Sequence, residues 1–198
     1  MSELKLFGKW SSEVEVRDAG LKRYIALAPK LVPKSRGKYR AQFHKSKMHI
    51  VERLICKIMV PGHRGRKHLL TSGHCCGAWY GAYKIVKEAF EFLERVTKKN
   101  PVEVFVRAVE NAALREELTS FQVGGIIVRK AVITSPQRRI DLALRLMVQG
   151  AYHRAHRNPK GFARCLAEEI LAAYQGDTQN SYALREKERI EREAAGAR

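Results

Sequence analysis

The stretch from Phe121 to Arg139 constrains the fold of this chain more than any other. It sets Gly124-Gly125 between two runs rich in Val, Ile and Phe, and follows the second run with Ser135-Pro136. A Gly-Gly pair supplies the positive φ angles of a two-residue turn, so the runs are expected to pair as a β-hairpin over about residues 117–134. Ser-Pro then reads as a helix start, with Ser as N-cap and Pro at the first helical position. Arg138 and Arg139 fall in that first turn, where the helix dipole favours anions. No acid occurs between Glu117 and Asp141, so the cation pair implies an anion close by. A basic ribbon joined to a basic helix start suits a nucleic-acid backbone better than a small substrate.

Bulk charge points the same way. The 198 residues carry 38 Lys and Arg against 20 Asp and Glu, a net charge of +18. Self-repulsion on that scale is relieved by a polyanion, nucleic acid first and a membrane surface second. A hydrophobic share of 45% is too high for a disordered basic tail, so the charge decorates a folded body. No apolar run approaches the roughly 20 residues of a membrane span. Met1 to Gly8 has neither the basic start nor the apolar core of a signal peptide. Cys56, Cys75, Cys76 and Cys165 fit no disulfide framework and favour a reducing compartment.

The remaining periodicity is helical. Val51, Leu54, Ile55, Ile58 and Met59 make one apolar face, stopped by Pro61-Gly62. A second helix is expected from about Tyr80 to Val96, with Ile85, Val86, Ala89, Phe90 and Leu93 inward. Asn100-Pro101 caps a third, and Ser135-Pro136 a fourth that buries Ile140, Leu144, Met147, Val148 and Ala151. Asn158-Pro159 is read as the cap of a fifth, ended by Gly176, and a charge-dense sixth covers about Asn180 to Ala195. The expected fold is mainly α: a bundle of about six helices with one projecting β-hairpin and a basic, largely irregular N-terminal extension. Residues 1–47 form that extension, outside the core, and 48–198 the helical domain. Two strands alone are marginal in water, so the ribbon tip either rests on its own bundle or reaches a partner; a projecting arm is favoured.

Candidate contacts are cationic. Lys30, Lys34, Arg36, Lys38, Arg40, Lys45 and Lys47 fill an acid-free segment in which Tyr39 and Phe43 are spaced to stack on bases. Arg64, Arg66 and Lys67 lie in a long loop, and Arg129 and Lys130 on opposite faces of a strand. His153, Arg154, His156 and Arg157 end the fourth helix, where the dipole favours cations whether or not RNA is present; Lys160 and Arg164 follow. The cluster His63, His68, His74, Cys75 and Cys76 tempts a zinc assignment. Adjacent cysteines chelate one tetrahedral zinc poorly and no Cys-x-x-Cys exists, so no metal is expected. Glu168-Glu169 diverge on a helix, and no phosphate loop, nucleophile elbow or His-Glu-x-x-His motif occurs, so no enzyme and no cofactor are expected. A DNA-binding architectural protein is the alternative to an RNA binder; no helix-turn-helix spacing supports it.

These residues also resemble a known family. Gly124-Gly125, Ala131-Val132-Ile133-Thr134-Ser135-Pro136-Gln137-Arg138-Arg139 and Asp141-Leu142-Ala143-Leu144-Arg145 are similar to the seventh small-subunit ribosomal protein, in its archaeal and eukaryotic branch. So, in order, are Val51-Glu52-Arg53-Leu54, Ala82 to Phe90, Asn100 to Val104, Val109 to Ala112, Leu166 to Ile170, Ser181-Tyr182-Ala183 and Lys187 to Arg192. The resemblance covers roughly residues 45 to 198. It implies a helical bundle with a projecting hairpin, bound to the 3′ major domain of small-subunit ribosomal RNA in the subunit head, in the cytoplasm and beside other small-subunit proteins. It implies a role in nucleating head assembly, and a hairpin near messenger RNA and exit-site transfer RNA. Carried over, the tip is Gln122, Val123, Gly124, Gly125 and Ile126, and the helix-start contacts are Arg138, Arg139 and Arg145. The family often has Pro where Leu114 stands, and a Gly-Lys-Lys run where this chain has Gly77-Ala78-Trp79-Tyr80-Gly81.

Overall fold

A computed structural model of the chain describes residues 4–64, 67–68 and 78–197, with the backbone alone at 63–64 and 67–68. Its described elements run α1 (Ala19–Lys22), a 3-10 turn (His44–Lys47), α2 (Ile50–Ile58), β1 (His63–Arg64), β2 (Lys67–His68), α3 (Trp79–Thr97), α4 (Pro101–Ala112), β3 (Glu116–Val123), β4 (Ile126–Ile133), α5 (Pro136–Ala155), α6 (Phe162–Gln175) and α7 (Tyr182–Ala195). The fold is mainly helical with one long antiparallel hairpin, and its six long helices are those the periodicity predicts. Helix α4 occupies the centre. Val102, Val104, Phe105, Val106, Ala108, Val109 and Ala112 are all buried, and α4 packs against α3, α5, α6 and α7.

Helix starts follow local chemistry more than the Pro signal alone suggests. Asn100 accepts from the Val102 N–H at 3.0 Å, with Pro101 at the first position, as expected. Ser135 holds the N-cap position of α5 but its side chain caps nothing. Asn158 serves a turn: it accepts from Lys160 N–H at 3.0 Å, and α6 begins at Phe162 after Gly161. The expected cap at Asn158-Pro159 is therefore corrected, the turn having taken its side-chain oxygen. Gly176 ends α6 at φ 77°, as read.

The N-terminal segment departs from expectation. Leu6, Phe7, Trp10, Val16, Leu21 and Ile25 are buried in the common core. Trp10 meets Phe90 of α3 edge-on at 5.9 Å between centroids, and Phe90 meets Phe105 of α4 at 5.8 Å. The backbone here has little regular structure, and α4 holds it instead. One Glu110 oxygen accepts from the N–H groups of Arg17 and Asp18 at 2.7 and 3.0 Å, and Asn100 donates to Ser11 O at 2.9 Å. Reading residues 1–47 as lying outside the core is thus corrected for its first half. The apolar residues there lack a helical or strand period because the chain lies over the helices as coil.

Strands β3 and β4 pair from Glu116↔Ile133 to Val123↔Ile126, closed by Gly124 and Gly125 at φ 55° and 86°. Both angles are positive, the requirement of the tight hairpin turn. The ribbon base is anchored and its tip is bare. Its base rests on α7, Leu118, Ala131 and Val132 are partly covered, and Ile126 and Ile127 are 71% and 69% exposed. The ribbon projects; only its base folds back.

Candidate nucleic-acid interface

Two i,i+4 pairs set the centre of the charged surface. Arg53 and Lys57 on α2 face Asp141 and Arg145 on α5. Arg53 is 1% exposed; it donates to Asp141 Oδ1 at 3.1 Å and to the Tyr24 carbonyl at 3.1 Å. Lys45 donates to Asp141 Oδ2 at 2.7 Å. Burial alone would raise the Asp141 carboxyl, but the Lys45 hydrogen bond and the Arg53 charge hold it below the ordinary carboxylate range. Burial, and then the Lys45 charge, pulls the Lys57 ammonium below its ordinary value. One carboxylate, paired with Lys45 and Arg53, therefore sits among four cations, and Lys57 with Arg145 lines a cleft of about 340 Å³ together with Cys56, Val60, Pro61 and Gln149. Sequence reasoning passed over Arg53 and Lys57. The available signal was their i,i+4 spacing, matched by that of Asp141 and Arg145.

The basic segment 30–47 lies over α2 as a strap. Ala26 bridges to His49, the Ser35 N–H donates to Glu52 at 2.6 Å, and Lys45 reaches α5. Lys34 sits 4.5 Å from the centre of the Trp79 ring and Lys30 sits 5.8 Å from that of Tyr39. Trp79 is thus a helix-start platform for the strap. Arg36, Lys38, Arg40 and Lys47 are exposed and, among the described residues, make no ion pair. His49, buried beneath the strap, caps α2 by accepting from the Val51 N–H at 3.2 Å. Burial, then the Lys30 charge, pushes its pKa down to about 4.

The Arg138–Arg139 pair is held differently from the sequence reading. Its anions belong to the protein. Arg138 forms a two-point pair with Glu117 of the ribbon base, Nε and Nη2 at 2.6 and 2.7 Å from the two oxygens. Arg139 donates to Asp18 at 3.0 Å and to the Leu114 carbonyl at 2.8 Å. The two differ in access: Arg138 is 56% exposed and Arg139 only 15%. Arg139 ties the N-terminal segment to the hairpin entry, and buried Leu114 completes that joint. The inference of an external anion at this pair is corrected for Arg139; Arg138 keeps an exposed edge.

The other cations also divide. Arg154 reaches the buried Glu169 at 3.2 Å and the Asn180 carbonyl, so it ties α5 to the start of α7. Lys160 pairs with Glu168 at 3.1 Å, and Arg164 shares that carboxylate. Glu169 turns inward to Ser181 and the Ala183 N–H while Glu168 turns outward, the divergence expected of helix neighbours. Arg129, Lys130, Arg145 and Arg157 are exposed and, among the described residues, unpaired. The register puts Arg129 and Lys130 on opposite ribbon faces, with Phe121, Val123, Ile126 and Val128 sharing Lys130's face. Arg138 and Arg154 are sixteen positions apart on α5, about 24 Å along the axis. The two groups therefore lie at opposite ends of one rod. Arg64 and Lys67 face each other in the β1–β2 register. Arg66, His74, Cys75 and Cys76 lie outside the described residues, as do the side chains of His63 and His68, so the metal reading rests on sequence alone.

The fold and this layout define a helical protein with a basic strap whose cations, among the described residues, are mostly without ion pairs, and a bare two-stranded arm, an arrangement suited to a polyanion. The chain belongs to the ribosomal protein S7p/S5e family, whose model matches residues 21–198. It is 48% identical over 198 residues to the small ribosomal subunit protein uS7 of Nanoarchaeum equitans, covering 99% of this chain and 100% of that one. The protein of that name in Archaeoglobus fulgidus is 46% identical over 198 residues, covering 99% of this chain and 96% of its own. That of Methanococcus maripaludis is 46% identical over 199 residues, covering 99% and 100%. These likenesses extend across the N-terminal segment that precedes the family model.

Proposed function

We propose that the chain is a structural constituent of the small ribosomal subunit that binds the 3′ major domain of small-subunit ribosomal RNA. The observation that carries this reading is the full-length likeness to archaeal proteins named as small ribosomal subunit proteins. The charge layout supports it. Internal ion pairs take up Asp18, Glu117, Asp141, Glu168 and Glu169, while, among the described residues, much of the strap, Arg145 and the ribbon cations make no ion pair. Free Arg and Lys side chains release counterions when they meet phosphates, and Arg adds two-point contacts that fix direction. Helices hold these groups at set spacing, so the protein reads RNA shape more than sequence. Its role in this reading is to nucleate the folding of the subunit head by neutralising phosphates that tight RNA packing brings together, not to catalyse a reaction.

The ribbon is assigned to the path of messenger RNA and exit-site transfer RNA. Its exposed tip at Gln122 to Ile126, with Arg129 and Lys130 behind it, supports that placement. Chemical footprinting on small-subunit ribosomal RNA at moderate salt, with duplex DNA as competitor, tests the reading. Compact protection of the 3′ major domain that survives competitor is the expected result. Diffuse protection that DNA removes would leave a general polyanion binder, or the DNA-binding architectural protein, in its place.

A further inference from the structure

An aromatic ring left in water beside amides and guanidinium groups needs a reason. Phe43 is 72% exposed, although the core takes aromatic rings readily elsewhere. Its backbone sits at φ 63°, a left-handed conformation that a bulky residue rarely adopts, and this conformation lies directly before the 3-10 turn His44–Lys47. The turn is fixed from both sides. Ser46 Oγ donates to the Phe43 carbonyl at 2.9 Å, and Lys45 anchors to Asp141. The ring is thus held out by a pinned turn, not left on a free tail.

Phe43 forms one wall of a cleft of about 450 Å³ whose lining includes Gln42, Ser135, Gln137, Arg138 and Arg145. The chemistry is mixed in a particular way. A flat apolar face is offered by Phe43. Gln42 and Gln137 are amides that donate and accept. Arg145 is unpaired among the described residues, and Arg138 spends one side of its fork on Glu117. Asp141 also lines the cleft but is already covered by Lys45 and Arg53.

We infer that this cleft takes one unstacked RNA nucleotide, its base stacked on Phe43, its edge bonded by Gln42 or Gln137, and its phosphate met by Arg145 and Arg138. Stacking on an aromatic face, amide bonding to base edges and Arg contact with phosphate are the means by which single-stranded RNA is bound. A phosphate or acidic side chain alone would use the cations and leave the ring idle. The inference rests on the ribosomal RNA reading above and deepens it: Phe43 adds shape- and base-dependent affinity to an otherwise electrostatic surface.

The test measures affinity and salt dependence of the full chain on a 3′ major domain transcript, comparing wild type with Phe43→Trp, Phe43→Ala and Phe43→Lys, alongside chemical probing of the RNA. Phe43→Ala should weaken binding by about five- to a hundredfold, the range of one lost base stack, with an unchanged salt slope. One nucleotide should lose its protection. Phe43→Trp should bind within about twofold of wild type. Phe43→Lys should bind more weakly than wild type although it adds a positive charge. Tighter binding by Phe43→Lys, or wild-type binding and protection in Phe43→Ala, would overturn the nucleotide site and leave the ribosomal RNA reading standing. Unchanged RNA binding with loss of Phe43→Ala from assembled subunits would assign the cleft to a protein segment and overturn it too. Failure of the wild-type protein to bind the transcript would instead remove the reading on which the site rests.

Discussion

At the residue scale, cations of one type have taken opposite duties. Arg139 and Arg145 lie six positions apart on α5, one spent on Asp18 and Leu114, the other exposed and, among the described residues, unpaired. Arg139→Ala is expected to cost about 1.5–3 kcal/mol of stability, the range for charged hydrogen bonds, and to leave the salt slope of RNA binding alone. Arg145→Ala should cost under about 0.5 kcal/mol of stability and reduce that slope by about 0.9; urea unfolding and a salt titration separate them. Gly150 on α5 has a packing duty. A Cβ there would stand 2.6 Å from Tyr182 Cβ and 3.2 Å from Glu169 Cδ, both on close-packed elements. Gly150→Ala should therefore destabilise by about 1–3 kcal/mol despite Ala's better helix propensity, and a rise in stability would disprove the close approach of α7. His49 couples the strap to pH. Its pKa falls from the ordinary 6.5 to about 4, so the folded state keeps it neutral while the unfolded chain takes a proton first. Stability from this group is complete above about pH 6.5, declines as pH falls toward 4, and is gone below, a loss of about 3 kcal/mol. His49→Asn retains an oxygen to cap Val51 and should flatten stability between those pH values in urea titrations; an unchanged slope would assign it elsewhere.

At the element scale, the ribbon is a device with two halves. Glu191 accepts from the Arg115 N–H at 2.9 Å, Thr134 N–H donates to the Arg115 carbonyl at 3.0 Å, and Arg138 grips Glu117, so its root is pinned to α7 and α5. Residues 119–130 are all exposed. Removing Gln122 to Val128 and reclosing the strands should change stability by less than about 1 kcal/mol while impairing translation in a reconstituted system. Collapse of the helical fold would show that the tip supports the body. The hairpin was legible in full because its turn, register and strand length depend on neighbours in sequence. Helix starts were legible only in part. Asn100-Pro101 and Asn158-Pro159 look alike as dipeptides, yet Asn158 closes a turn onto Lys160 and Gly161 precedes α6. Such a choice between competing local hydrogen bonds is made by where the next helix must pack.

At the scale of the whole molecule, the N-terminal segment belongs to the core. Deleting residues 1–12 would strip Leu6, Phe7 and Trp10 from the core, and a loss on the order of 5 kcal/mol follows from their burial. A truncated chain as stable as the full one in urea would return the segment to the status of a tail. That the hairpin tip is bare was favoured by the sequence and decided by the structure. The sequence by itself determined the mainly helical class, the six long helices, the hairpin and the excess of cations. Each depends on periodicity, turn chemistry or composition, all of which act over a few residues or over the chain as a sum. Tertiary structure alone decided which cations are free. Asp18 and Arg139 are 121 positions apart, and Lys45 and Asp141 are 96, so no local pattern announces that they meet. It also decided that the apolar side chains of a mostly irregular segment, from Leu6 to Ile25, lie buried. Coil burial follows from complementary surfaces on α3 and α4, which exist only once those helices have packed.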